Sequence, residues 1–249
     1  MLIILPVLCI IKKIIRNERG EIRMERNAKS SRLLSLLFAV SLLCLILTLA
    51  ISLPIYIRPF YYAHIRCMNL PEASGFTAEE IREAYDQVLN YLTVPGKKFG
   101  TGIMAHSDSG ADHFADCKVL FDLNKYVMMI SGSVLALLLL LYILGITGPY
   151  RLGRRSASFW AAVGAKVLPV VLGILAALDF NRAFVVFHSI FFPGKSNWIF
   201  DYRTDPIILV LPQNFFMHCA MLIAAGILFF GGVVLVWDRR WTKRRKKTI

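Results

Sequence analysis

Four long apolar stretches, separated by polar segments, dominate the pattern of hydrophobic and polar residues along this chain. Each stretch is long enough to cross about 30 Å of hydrocarbon as a helix. One charged residue, Lys166, interrupts the third stretch, and its long side chain is expected to snorkel toward the interface. The pattern predicts an all-α integral membrane protein with four transmembrane helices, at residues 33–57, 126–150, 159–180 and 213–237. A composition with 57% hydrophobic residues excludes a large soluble core.

The distribution of Lys and Arg predicts the orientation of these helices. Basic residues concentrate in the arm 1–32, the turn 151–158 and the tail 238–249. By the positive-inside rule these three segments are cytoplasmic, so both termini lie inside. A small, mainly helical extracytoplasmic domain, residues 58–125, and a re-entrant or interfacial loop, residues 181–212, then lie outside. The net charge of +13 reflects a basic collar against anionic lipid headgroups rather than nucleic-acid binding.

The N-terminal arm begins with an apolar run, residues 1–11, that is too short to span a bilayer. No basic residue precedes this run and no small-residue cleavage site follows it, so it is a poor signal peptide. Two interpretations stay open. The run is an interfacial anchor on the cytoplasmic side, or residues 1–23 are an over-long start and Met24 is the true initiator.

The first outer segment, residues 58–125, contains a helix whose N-terminus is marked by a capping motif. Thr77 and Glu80 match a capping box, in which each side chain accepts the other residue's free backbone N–H. The Pro-punctuated chain before it, residues 59–71, is expected to be extended, and Pro95-Gly96 ends the helix. Its apolar stripe indicates packing and no chemistry. The stripe consists of Ile81, Tyr85, Val88, Leu89 and Leu92.

The end of the same segment carries the first candidate catalytic residues. Ser109 and Asp112 match a helix start, and a helix beginning there places His113, Asp116 and Cys117 on one face. Asp116 is expected to hold one imidazole nitrogen of His113, which fixes the nitrogen that is free to act as a base. This helix would continue into the second span and deliver His113 just above the bilayer.

The stretch 184–201 is too apolar for a soluble loop, yet too rich in polar groups and turn formers to span a bilayer. It holds His188 among five phenylalanines. An ionisable side chain at membrane depth is costly to desolvate, which makes His188 a functional candidate. Non-helical backbone at that depth has to be shielded by protein or to line a wet cavity. We therefore expect this stretch to form the wall of a site at the membrane interface.

Other residues with chemical potential have simpler explanations. His64, His106 and His218 are expected to be structural. The acidic residues around the helix start lack the close ligand spacing of a zinc site, so we expect no metal and no cofactor. Cys67 and Cys117 share the outer compartment, and a disulfide between them stays open because spacing alone does not fix a bridge.

Three blocks of the sequence carry a resemblance that covers the chain from the first span to the fourth. They are Thr77-Ala-Glu-Glu-Ile…Tyr85…Asn90-Tyr91-Leu92, His113-Phe-Ala-Asp116-Cys-Lys118-Val-Leu-Phe121, and Phe187-His188-x-x-Phe-Phe…Trp198-x-Phe200…Asp205-x-Ile-Ile-x-x-x-Pro212-x-x-Phe-Phe. Together they resemble a bacterial family of four-helix membrane proteins, the lipoprotein intramolecular transacylases. The third block is the most specific, because His, Trp, Asp and Pro recur in it at fixed offsets.

The resemblance implies an acyltransferase of the bacterial plasma membrane with its active site at the extracytoplasmic face. The substrate would be a diacylglyceryl lipoprotein whose lipidated N-terminal cysteine has a free α-amine. The enzyme would move the sn-2 acyl chain onto that amine, giving the N-acyl, S-monoacylglyceryl (lyso) form. The family's two functional histidines correspond to His113 and His188. Cys117 is a departure, since the family more often has valine there.

The chemistry of the residues is compatible with this activity. An amine that attacks an ester needs a base, oxyanion stabilisation and protonation of the leaving alkoxide. We predict His113 as the base, oriented by Asp116, with His188 as acid or oxyanion donor, and the reverse assignment stays open. Phenylalanines would bind acyl chains and polar residues would position the substrate. These candidates are Phe187, Phe191 and Phe192 for the chains, and Lys118, Asn197, Trp198 and Asp205 for positioning.

Two other functions stay open. One is a phospholipid-dependent N-acyltransferase that passes the acyl group through a Cys117 thioester. The other is a non-catalytic membrane accessory or sensor protein in which both histidines only pack. Transport is disfavoured, because the chain lacks inverted repeats and paired broken helices. The expected partners are diacylglyceryl lipoproteins and membrane lipids, without nucleic acid.

Overall fold

Four long helices form the body of the protein in a computed structural model that describes residues 30–246, apart from side chains at 168, 171–172, 174–177 and 244–246. The expectations for residues 1–23 and for Met24 lie outside the described residues. The long helices are α1 (Arg32–Tyr56), α5 (Asp108–Ile143), α6 (Ala157–Leu178) and α9 (Gln213–Lys246). Helix α1 packs against the other three, and α6 also packs against α9.

Three of these helices are long and apolar enough to cross a membrane by length and composition: α1, α5 and the Gln213–Lys243 part of α9. Helix α6 has 22 residues, and its role as a fourth span stays a prediction. Lys166 of α6 lies against α9, since its Cε would be 3.2 Å from a Cβ at Gly231. The second span was predicted to reach residue 150, but α5 ends at Ile143, close to Gly145, which adopts a left-handed φ of 77°.

A two-stranded hairpin joins α5 to α6. Strands β1 (Arg151–Leu152) and β2 (Arg155–Ser156) pair antiparallel, with Arg151 opposite Ser156. The backbone N–H of Arg151 donates to Ser35 Oγ at 3.1 Å, so the hairpin docks on the start of α1. Basic side chains thus gather at the end of the helices where the positive-inside rule places the cytoplasm.

Three helices make up most of the first outer segment: α2 (Arg58–Cys67), α3 (Leu70–Ser74) and α4 (Ala78–Thr93). The expectation of an extended chain over residues 59–71 is wrong. Pro59 and Pro71 each lie in the first turn of a helix, where a missing N–H costs no intrahelical hydrogen bond. The capping box of Thr77 and Glu80 is confirmed, and the whole apolar stripe of α4 is buried.

The second outer segment is more helical than the sequence indicated. Residues Phe180–Phe191 form α7 and Ile207–Val210 form α8. Asp179 starts α7, because its carboxylate accepts the N–H of Arg182 at 2.9 Å. The backbone around His188 is therefore helical and satisfies its own hydrogen bonds, which corrects the expectation of non-helical chain at that point.

An aromatic cluster joins the two outer segments. The ring of Tyr61 is fully buried, stacks on Tyr85 at 3.7 Å between centroids, and meets the edge of Phe215 at 5.1 Å. Its hydroxyl donates to the carbonyl of Val210 at 2.7 Å. Helices α2, α4, α8 and the start of α9 thereby form one continuous core beside the long helices.

Sidedness can be tested with the thiol of Cys67, which is free and exposed on α2. If the first outer segment is extracytoplasmic, a membrane-impermeant maleimide should label Cys67 in intact cells, read out by mass spectrometry. An Arg154→Cys substitution in the hairpin, made on a Cys67→Ser background, should react only after permeabilisation. Labelling of the hairpin thiol in intact cells would reverse the predicted topology.

Candidate active site

His113 lies near the start of α5 and is almost fully buried, with 6% of its surface exposed. Helix α5 starts two residues earlier than predicted: Ser107 is the cap, and its Oγ accepts the N–H of Gly110 at 3.0 Å. The helix then runs without interruption into its apolar part, as the sequence predicted. The imidazole of His113 lies between the edges of Phe192 and Phe200, at centroid distances of 5.1 and 5.5 Å.

His188 lies in the last turn of α7 and is equally buried, with 7% of its surface exposed. Its Nδ1 lies 2.8 Å from the carbonyl oxygen of Phe184. A carbonyl can only accept, so Nδ1 carries the proton and Nε2 holds the lone pair of the neutral ring. The ring stacks on Trp198 at 4.5 Å between centroids. Burial lowers the pKa of His188 below its ordinary value, against a smaller opposing effect of the Phe184 carbonyl.

The structure brings the two imidazoles together. The rings of His113 and His188 lie 5.9 Å apart between centroids, with an angle of 30° between their planes. Nδ1 of His113 is buried, and residues 30–246 give it no hydrogen bond of ordinary geometry. A buried imidazole nitrogen without a partner is costly, and it indicates a group that is satisfied when something else enters the site.

Cys117 lies one turn after His113, and its Sγ is 3.4 Å from Nε2 of His113. The predicted shared face is therefore present for this pair. Cys67 and Cys117 are both free thiols, so the structure contains no disulfide between them.

Asp116 does not hold His113 directly, which corrects the expectation drawn from their spacing. Its carboxylate instead forms an ion pair with Lys195 and accepts a hydrogen bond from Asn197 Nδ2 at 3.0 Å. Both partners come from the second outer segment, 79 and 81 residues away, so the local helix spacing could not reveal them. Beside this group lies an open hollow of about 500 Å³. Its polar lining is formed by Ser109, Asp112, Asp116, Lys195, Ser196 and Asn197.

Asp205 ties the second outer segment to the start of α5. It is 3% exposed, and it accepts hydrogen bonds from the backbone N–H and the hydroxyl of Ser107, both at 2.8 Å, and from Thr204 Oγ1 at 2.7 Å. Burial alone would raise the pKa of Asp205, but these hydrogen bonds outweigh it and lower the pKa. Ser107 and Thr204 were not predicted as site residues, although a Ser before an apolar helix is a cap signal.

The other predicted positioning residues divide into two groups. Trp198 and Phe192 lie against the histidines and are not exposed. Phe187 and Phe191 contact each other at 4.6 Å and are about half exposed on α7, and the Phe187 ring also meets His188 at 5.5 Å. Lys118 binds Tyr91. Its Nζ donates to the carbonyl of Tyr91 and lies 4.5 Å above that ring.

The remaining histidines have structural partners. His64 Nε2 lies 3.0 Å from His218 Nδ1, and Nδ1 of His106 contacts Thr101 Oγ1 at 3.3 Å. Among residues 30–246, no group of three or more His, Cys, Asp or Glu side chains could hold a metal ion.

Comparison with known families identifies the family of this chain. The sequence model of the family "Lipoprotein intramolecular transacylase Lit" matches residues 36–216, which include both buried histidines. The chain belongs to the Lit family. An uncharacterised protein of Aquifex aeolicus (strain VF5) is 28% identical to this chain over 133 residues. That match covers 53% of this chain and 59% of the Aquifex protein.

Solved Lit structures share the fold. The membrane integral lipoprotein intramolecular transacylase Lit from Bacillus cereus is 27% identical, with a TM-score of 0.79 over 87% of this chain and 97% of that protein. A variant of the same protein with one histidine replaced by arginine is 25% identical, with a TM-score of 0.74 over 94% and 99% of the two chains. With three long apolar helices of its own, this Lit protein is an integral membrane protein.

The close approach of Gly110 to Asp205 gives a test of this Lit site. A Cβ at Gly110 would collide with the Asp205 carboxylate and come within 3.1 Å of Phe200. Gly110→Ala should therefore push the second outer segment off the start of α5 and destabilise the protein by about 1–3 kcal/mol, measured by thermal unfolding in detergent. Gly132→Ala on the same helix is the control, because nothing lies within 4 Å of a Cβ there. Equal effects of the two substitutions would contradict the contact.

Proposed function

We propose that this Lit protein moves the sn-2 acyl chain of a diacylglyceryl lipoprotein onto the α-amine of its N-terminal cysteine. The product would be the N-acyl, S-monoacylglyceryl lipoprotein. One observation carries the proposal: two buried imidazoles lie 5.9 Å apart, in a chain of the lipoprotein intramolecular transacylase family. This arrangement fits acyl transfer because the ester and the amine belong to one bound molecule, so no covalent enzyme intermediate is needed.

In the proposed reaction, the lone pair of the neutral α-amine attacks the carbonyl carbon of the sn-2 ester. The carbonyl oxygen becomes an oxyanion, the nitrogen gives one proton to a base, and the base passes that proton to the glyceryl oxygen as the C–O bond breaks. The products are an amide and a free hydroxyl on the glyceryl group, with no net change in protons.

His188 is the better candidate for the base. Its Nδ1 is committed to the carbonyl of Phe184, so Nε2 presents a lone pair. Burial lowers the pKa of both imidazoles, so both rings stay neutral at neutral pH, and the free Nε2 is what distinguishes His188. This reverses the first assignment from sequence, in which His113 was the base and Asp116 its orienting partner.

His113 is the better candidate for stabilising the oxyanion. The thiol of Cys117 lies at Nε2 of His113, and a buried thiol keeps its proton and can donate it in a weak hydrogen bond. Nδ1 then carries the N–H of the His113 ring. Within residues 30–246 this atom has no hydrogen-bond partner of ordinary geometry, although an interaction with the Asn197 side chain partly opposes the lowering of the pKa of His113 by burial. A donor held in a dry site stabilises developing negative charge strongly.

The acyl chains have an apolar surface next to the histidines. Phe187 and Phe191 are about half exposed on α7, while Phe192 is buried against His113. We propose that the sn-2 chain lies along this surface, where each buried methylene contributes about 0.8 kcal/mol. Such binding would hold the ester at the junction between the apolar surface of α7 and the polar hollow.

The contact between Cys117 and His113 favours one rival, acyl transfer from a phospholipid through a Cys117 thioester. A thiol 3.4 Å from an imidazole is the pair that such a mechanism needs. Substitutions separate the two mechanisms. His113→Ala and His188→Ala should each lower turnover by about 10²- to 10⁴-fold, because the proposed reaction needs one imidazole as the base and the other as the oxyanion donor.

Cys117→Ser should cost much less than either histidine substitution, since direct attack by the amine needs no thiol and Ser keeps a donor next to Nε2. Turnover would be followed as lyso-form production from a synthetic diacylglyceryl lipopeptide, with folding checked by gel filtration. Loss of all activity in Cys117→Ser, with a trapped acyl group on the wild-type thiol, would replace the proposed mechanism with the thioester route. Near-normal activity in either histidine variant would exclude the proposal.

The ionisation state of His188 gives a direct test of its role. Because burial lowers its pKa, the ring should stay neutral down to below about pH 6.5, the ordinary imidazole value, and gain its proton only under more acidic conditions. The measurement is an NMR titration of ¹³C-histidine-labelled protein, with His188→Ala identifying the resonance. A titration midpoint at or above the ordinary value would remove His188 as a base that is neutral throughout the physiological range.

A further inference from the structure

The carboxylate of Asp116 has one fixed partner and one exchangeable partner. Asn197 Nδ2 donates to Oδ2 at 3.0 Å, and the amide is half-buried. Lys195 Nζ lies on the other oxygen, Oδ1, but its side chain is 49% exposed, compared with 22% for Asp116. An ion pair with a half-exposed Lys contributes little net stability, so water or another cation displaces the ammonium at small cost.

The environment of Asp116 is suited to a small cation next to the histidines. Asp116 lies three residues after His113, one turn farther along α5. The hollow of about 500 Å³ opens beside the carboxylate, so a group that replaces Lys195 has room to enter. All the lining residues except Ala115 carry polar or charged side chains, which favours a charged group over an acyl chain on this side of the site.

We propose that Asp116 is the binding site for the α-ammonium of the lipoprotein's N-terminal cysteine, and that Lys195 occupies this site when no substrate is bound. The inference rests on the proposed function and adds the group that recognises the free amine. Lys195 and the substrate both present an R–NH₃⁺ group, and the ion pair shows that the carboxylate accepts one at this point. An α-amine has a pKa near 8, so most of the substrate carries the charge at neutral pH.

This site would explain discrimination between substrate and product. The substrate has a charged α-amine, whereas the product has a neutral amide that cannot pair with a carboxylate. Attack still requires the neutral amine, and the hollow is open to solvent, which gives the released proton an exit. Peptide emerging from the cysteine would leave through the same hollow.

The test uses a substrate analogue that cannot react. The analogue is S-diacylglyceryl-Cys-Ser-Ser-Asn in which ether bonds replace both esters, so it cannot transfer an acyl chain. Its inhibition constant, measured in the lipopeptide assay, reports binding alone. The analogue is prepared with a free α-amine and in N-acetylated form, and neither form contains Lys. For wild-type protein, the free-amine form should bind about tenfold more tightly, the scale of one hydrogen bond to a charged group, and this preference should fall above about pH 8.

Three variants decide the assignment. Asp116→Asn should abolish the preference by weakening only the free-amine form. Lys195→Met should increase the preference, because it removes the competing ammonium while leaving the hydrogen bond from Asn197 to Asp116. The matched control is Asp122→Asn, which also removes a carboxylate of α5 from an ion pair, with Lys125, but does not line the hollow. The control should keep the wild-type preference.

The outcomes separate this inference from the proposed function. If wild-type protein produces no lyso form, the proposed function fails. If wild-type protein is active but Asp116→Asn keeps the tenfold preference, the ammonium site is wrong and the reaction stands. If Lys195→Met and Asp116→Asn weaken both forms of the analogue equally, Asp116 and Lys195 only tie the second outer segment to α5, which also overturns the inference.

Discussion

The hydrogen bonds between Ser107 and Asp205 join two segments that are 98 residues apart, and the histidine pair depends on them. His113 belongs to α5 and His188 to α7. The two histidines therefore meet only when these two segments pack together. Because the Asp205 carboxylate binds Ser107, the cap of α5, it fastens the start of the helix that carries His113 to the second outer segment. Gly110 leaves the space in which this carboxylate sits. A side chain at that position would separate the two halves of the site.

When the two segments are joined, both imidazoles lie among aromatic side chains. His188 is stacked on Trp198, and His113 is held by Phe192 and Phe200. Burial disfavours the charged form of an imidazole, so this environment favours neutral rings. The partner of each ring then decides which nitrogen remains available: a backbone carbonyl for His188 and a thiol for His113. In the proposed reaction, two chemically identical side chains thereby take different roles, one accepting a proton and the other donating a hydrogen bond.

Two surfaces near the site differ in polarity. Helix α7 presents half-exposed phenylalanines, and the hollow presents carboxylates and an amide. A lipid-modified peptide has the same division, with acyl chains at one end and polypeptide at the other. In the proposed reaction the ester and the amine therefore meet where the two environments meet, at the histidine pair.

The sequence alone determined the long apolar helices, the start of α4 and the candidate histidines. Apolar stretches of more than 20 residues, the capping box of Thr77 and Glu80, and the buried stripe of α4 are local patterns, and the structure keeps them. Where local patterns failed, a competing local reason was present. Pro59 and Pro71 lie in the first turns of helices instead of preventing them. Asp179 caps a helix in a segment whose polar groups had indicated a loop.

Only the tertiary structure decided the partners of the polar side chains. Helical spacing placed Asp116 near His113, but the carboxylate binds Lys195 and Asn197. Local sequence patterns cannot reveal partners that are so distant in the sequence. The same holds for Asp205 on Ser107 and for the distance between the two imidazoles. Local backbone structure is set by neighbouring residues, so a sequence can reveal it. The contacts of a functional group depend on how separate helices pack, and that packing is decided by the whole chain.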